Sequence, residues 1–197
     1  MNKSALQVAI RATFEEVPYP GNNNIGIPDS VGGDDADDVS EGFRGVDWRT
    51  LTSNEDLWGL GLHFMTAEAA HYYLPAYLLV GIEDPVREAM LGALLRLKPY
   101  LKSDSDTWPQ SYKNFLQFVS LLSPSQKKVI ADTLVYALDT RIKALLKHKE
   151  AGPSPDEDQS PDDITEEERE EDRAWWDEQI EDTRAKYAPL IEYWSHT

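Results

Sequence analysis

An all-α fold is predicted by three features of this 197-residue chain. Apolar residues recur at three- and four-residue spacings, helix start signals precede those stretches, and period-two alternation is absent at any useful length. The expected architecture is a compact bundle of about five to six helices, with a long acidic N-terminal loop and a C-terminal helix after an acidic linker. The division follows: a helical domain over 1–150, an acidic proline-rich linker over 151–164, and a helix over 165–197 that packs back on the domain.

The first helix begins with Ser4 and Gln7 as a capping box and carries Leu6, Ile10 and Phe14 at helical spacing, ending before Pro18. Residues 18–49 hold prolines, six glycines, Asn22 to Asn24 and the acids Asp34, Asp35, Asp37, Asp38 and Glu41. That composition reads as a loop pinned to a core by Phe43, Val46 and Trp48. Thr52 with Glu55 offers a capping box for a short helix with Leu57 and Trp58. Thr66 caps the next helix, Ala67 to Val80, whose apolar face is Ala70, Tyr73, Leu74, Tyr77 and Leu78. Pro75 is expected to kink it near His71 to Pro75, because an interior proline removes a backbone bond and clashes with the preceding turn. Asp84-Pro85 opens a helix with Val86, Met90, Leu94, Leu97 and Leu101, and Phe115, Phe118, Val119 and Leu122 mark another piece.

Ser123-Pro124-Ser125-Gln126 combines an N-cap, a first-turn proline and a capping-box glutamine. The helix that follows places Ile130, Leu134, Ala137, Leu138 and Leu145 inward, Lys127, Lys128, Arg141, Lys143, Lys147 and Lys149 outward, and ends at Gly152-Pro153. After the linker, Thr165 and Glu168 cap a final helix whose Trp176, Ile180, Thr183, Tyr187, Leu190 and Trp194 form a seam. A stripe so regular wants a helical partner, and the basic helix after Pro124 is the nearest of opposite charge.

With 41% hydrophobic residues the chain can bury a core, which excludes wholesale disorder. The absence of cysteine excludes disulfides, thiol nucleophiles and cysteine-type metal sites. No signal peptide or membrane span is readable, so a cytoplasmic location is expected. The net charge of −17 is uneven: residues 151–197 carry 16 acids and 4 bases, whereas 101–150 carry 5 acids and 8 bases. Such a field repels nucleic acid and anionic membranes and attracts a basic protein.

Catalytic signatures are lacking. Phosphate-loop, dinucleotide and nucleophile-elbow motifs do not occur. Glu68-x-x-His71 with His63 suggests a metal pair, but a di-iron bundle needs a second such motif, so His71 is expected to be structural. The acids at 34–38 lack the EF-hand spacing, and in 156–167 Pro161 stands where that loop needs glycine. No metal, cofactor or enzymatic activity is therefore expected, and Tyr72, Tyr73 and Tyr77 read as core residues. Trp175 points about 100° away from Trp176 and is either a second contact or an exposed aromatic in an acidic field.

Phe43-Arg44-Gly45-Val46-Asp47-Trp48, the stretch from Leu62 to Leu78 with Tyr72-Tyr73-Leu74-Pro75-Ala76-Tyr77-Leu78, and Leu122-Ser123-Pro124-Ser125-Gln126 together resemble a bacterial family of small helical proteins of unknown function. Its pattern is a Phe-x-Gly-x-x-Trp element, then "TPEAFxYYLPAYL", then "LSPxQ". The similarity covers residues 40 to 146, with Ala67 in place of the usual proline and Ala70 in place of the usual phenylalanine. The resemblance implies a helical fold and brings no catalytic residue with it.

The functional expectation is an acidic protein that binds a basic partner, most concretely an immunity-type inhibitor of a nuclease-like bacterial toxin. A regulatory or structural interaction protein, including a DNA mimic, and an enzyme with an unrecognised carboxylate or metal site are the alternatives. Asp34, Asp35, Asp37, Asp38 and Glu41 are the expected partner-binding acids, with Trp48, Trp58 and Trp175 as aromatic anchors.

Overall fold

The computed structural model describes residues 1–27, 34–53, 55–57, 62–83, 110–153 and 165–196. Among them the fold is all-helical: α1 (Lys3–Phe14), α2 (Asp34–Phe43), α3 (Ala67–Glu83), α4 (Gln110–Leu121), α5 (Pro124–Ala151) and α6 (Glu166–His196). Two 3₁₀ turns, Trp48–Thr50 and Leu62–Phe64, join them. The expected helix after Asp84, Trp58 and the expected linker at 151–164 beyond Pro153 lie outside the described residues, and Ala151 belongs to α5.

The apolar spacing in α1 does what it predicts, since Leu6, Ile10 and Phe14 are all buried. Its cap is Asn2 rather than Ser4: the Asn2 side chain accepts from the Ala5 N–H at 2.9 Å. Asparagine is as good an N-cap as serine, and starting two residues earlier satisfies the first orphan amides.

The acidic segment is the main departure from expectation. Residues 34–43 form a helix, not a loop, because Ala36, Val39 and Phe43 recur at helical spacing and are buried while the acids between them face water. Asp34, Asp35 and Asp37 in the first turn favour the positive end of the helix dipole.

The short capping motif near residue 53 is displaced by one position. Ser53 and Asp56 exchange bonds, with Asp56 Oδ2 accepting from the Ser53 N–H at 2.8 Å and Ser53 Oγ accepting from the Asp56 N–H at 3.2 Å. Leu57 beside them is buried.

α3 is the central element. Thr66 caps it, as expected, by accepting from the Ala69 N–H at 3.2 Å. It runs through Pro75 to Glu83 and is buried on all sides from Tyr72 to Ile82, not along a single face. α1, α4 and α5 all pack on it. Burial of so much apolar side chain, about 1.5–3 kcal/mol for each large residue, holds the helix across the bond that the proline removes.

α5 shows the full capping box: Ser123 Oγ accepts from the Gln126 N–H at 3.2 Å, and Gln126 Oε1 accepts from the Ser123 N–H at 2.9 Å. It stops at Gly152, whose φ of 72° is a left-handed geometry that glycine adopts without strain. α6 is capped by Thr165 and Glu168 and packs chiefly on α5. Ile180, Thr183, Tyr187, Leu190 and Trp194 are buried along the seam, while Trp176 is half-buried.

Candidate functional site

The outward face of α2 is the densest exposed charge at the front of the chain. Asp34, Asp35, Asp37, Asp38 and Glu41 are all exposed, and the helix contains no basic residue. Its placement depends on a close approach from the preceding segment. The Gly26 N–H donates to Ser40 Oγ at 3.0 Å, and the Ser40 hydroxyl donates to the Ala36 carbonyl at 2.9 Å. A Cβ at position 26 would collide with both the Ala36 carbonyl and Ser40 Oγ.

The same segment is tied to the start of α3 on its other edge. The Ile27 N–H donates to the Phe64 carbonyl at 2.9 Å, the Thr66 N–H donates to the Ile25 carbonyl at 2.8 Å, and the Thr66 hydroxyl donates to the Asn24 carbonyl at 2.9 Å. Residues 24–27 therefore act as a strap between α2 and α3, and the acids ride on a fixed helix instead of a free loop.

Trp48 does not join this surface. It is 1% exposed, with the Arg49 guanidinium lying 4.7 Å over its ring, and its indole N–H finds no hydrogen-bond partner among the described residues. It is a core residue and presents nothing to a partner. Asp47, which the sequence reading overlooked, organises the turn: it accepts from the Arg49 N–H at 2.9 Å, from the Arg49 guanidinium at 3.1 Å and from the Tyr72 hydroxyl at 3.4 Å. The Arg49 backbone bond is the main reason its carboxyl sits below the usual range. Burial raises the Tyr72 and Tyr73 phenols, and the Tyr73 hydroxyl donates to the Phe43 carbonyl at 2.7 Å and the Val46 carbonyl at 3.0 Å. These tyrosines hold the turn after α2 onto α3.

Trp175 lies on a different element and is 50% exposed. Its ring meets Trp176 edge-on at 4.5 Å, and Trp176 stacks on His148 at 5.4 Å and 13°. The structure thus separates the expected anchors: Trp48 in the core, Trp175 on α6, and the five acids on α2.

His71 is structural. Its Nε2 lies 3.1 Å from Gln126 Oε1, and Gln126 Nε2 donates to the Thr13 carbonyl at 3.3 Å, which fixes the amide orientation and makes His71 Nε2 the donor. Burial lowers its pKa. Among the described residues no group of three or more histidines and carboxylates is placed to hold a metal ion, and no helix is long and apolar enough to cross a membrane.

No family model, curated protein or solved structure matches the chain. The family resemblance of residues 40 to 146 rests on its motifs alone.

Proposed function

We propose that this chain is a binding protein for a basic protein partner, of the immunity type that neutralises a nuclease-like toxin by covering its cationic face. The observation that carries the reading is α2: five exposed carboxylates on ten residues, with no cation among them and a backbone fixed by the strap at Gly26. A fixed acidic face steers a basic protein into encounter and costs little reorganisation when it docks. The net charge of −17 extends that attraction over the molecule.

The test begins with recovery of the partner from the native host and its identification by mass spectrometry. Association of the pure partner is then followed by stopped flow against a variant in which the five acids are replaced by Ser and Asn. A basic partner, slower association by about tenfold or more and a flatter salt dependence are the expected results. An acidic or neutral partner, or unchanged association kinetics, refutes the assignment of α2. If the partner is a nuclease, stoichiometric addition of this chain should also abolish its cleavage of DNA.

A further inference from the structure

Half of the Trp175 side chain is open to water although its ring is held in place: it meets Trp176 edge-on at 4.5 Å, and Trp176 is stacked in turn on His148 of α5. An exposed tryptophan by itself marks nothing. What sets this one apart is the charge around it. Four residues before it along α6 stands Glu171 and three after it Glu178, the spacings that put side chains on one face of a helix. Both are exposed, and neither has an ion pair among the described residues. One turn further out on the same row, Glu168 accepts from Thr165 and Asp182 is paired with Lys186.

The nearby cations are engaged elsewhere. Arg173 pairs with Glu166 at 2.7 Å, and Lys149 of α5 pairs with Asp177. Glu166, Arg173 and Asp177 are spaced by seven and four residues and so share a row, whereas Trp175, two residues past Arg173, lies about 200° round from it. One side of α6 is therefore charge-balanced. The other presents an indole between two bare carboxylates, each about 5 Å from it along the helix axis.

We propose that the Trp175 face of α6 binds a cationic segment of a protein partner, with an arginine lying over the indole and neighbouring cations pairing with Glu171 and Glu178. The proposal rests on the reading of this chain as a binder of a basic protein, and adds a second contact on a different helix from α2 with its own chemistry. Charge selects the occupant, because nucleic acid or an acidic protein, this chain included, would bring like charge to the row. The ring selects arginine: a guanidinium stacks on an aromatic face and keeps the N–H groups at its edge for carboxylates, which a compact ammonium does not. Since Trp176 already fixes the indole, docking orders little that is not ordered beforehand.

A hexa-arginine peptide titrated into the full chain, followed by heteronuclear NMR, tests this. The Trp175 indole N–H, assigned by its loss in Trp175→Phe, should shift and saturate together with the backbone amides of Glu171 and Glu178. Reading the affinity at those amides keeps binding elsewhere on the acidic surface out of the measurement. Trp175→Leu should weaken it about three- to tenfold, Trp175→Phe by less, and Glu171→Gln with Glu178→Gln by about tenfold or more. Replacing the five α2 acids should leave it unchanged. With the native partner, Trp175→Ala should hasten dissociation about tenfold and leave association alone, the reverse of the α2 variant. A partner that ignores the α2 variant but obeys this pattern would sink the α2 assignment and keep this one. An unmoved Trp175 indole, or a Trp175→Leu variant that binds as tightly as the wild type, overturns the proposal. The same amides shifting with protein concentration alone would assign the face to a second copy instead.

Discussion

His71 and Tyr73 show how single side chains join distant parts of the chain. The neutral His71 imidazole donates to Gln126, and burial lowers its pKa, so in the folded state it resists protonation. The unfolded chain takes up that proton below about pH 6.5, so stability falls as pH drops through that value. Chemical denaturation at pH 7.5 and pH 5 should show this loss, and His71→Gln should remove part of it; an unchanged slope would mean that His71 is not the group responsible. Tyr73→Phe deletes a hydroxyl that serves the Phe43 and Val46 carbonyls, at an expected cost of about 1–2 kcal/mol. Tyr73→Ala also empties the core and should cost about 3–5 kcal/mol. Measured midpoints in urea would separate the two effects, and equal losses would show that the hydroxyl carries the whole of it.

Among the elements, α2 depends on a contact from outside itself. Gly26→Ala forces the strap away from Ala36 and Ser40, and should lower the thermal midpoint by several degrees while α5 and α6 keep their helicity. A stable Gly26→Ala variant would show that the approach is not needed. The α5–α6 seam is expected to fail differently: Trp176→Ala with Tyr187→Ala removes two aromatic contacts that outweigh surface ion pairs worth at most about 1 kcal/mol each. Unchanged thermal stability would mean that α6 is not held by its seam.

α5 and α6 were legible in the sequence because their caps are local and their stripes long: Ser123 with Gln126, Thr165 with Glu168, and the run from Trp176 to Trp194. α2 was not, since its stripe is only Ala36, Val39 and Phe43 amid acids and glycines that read as a turn. Nor could Ser53 be preferred over Thr52, because both spacings satisfy the same rule. The bonds of His71 to Gln126 and of Gly26 to Ser40 are tertiary, and no spacing along the chain announces them. For the surface, the sequence identified the acids on α2 and the open position of Trp175 as one of two alternatives, and it offered Trp48 both as a core pin and as an anchor, a choice that only its burial decides for the core.

Over the whole molecule, 36 acids against 19 bases make self-repulsion a steady drain on stability. Salt should therefore raise the thermal midpoint over the first tenths of a molar, the opposite of what dominant surface ion pairs would give. A midpoint that falls with salt would show that attractive pairs prevail. The far ends of α5 and α6 add a second property, because residues 139–151 and 166–179 are helical yet carry no buried side chain. Their amides should exchange with deuterium by local opening, while those of α3 wait for the whole chain to unfold. One molecule then has two exchange regimes, and low denaturant should quicken the second while leaving the first nearly unchanged.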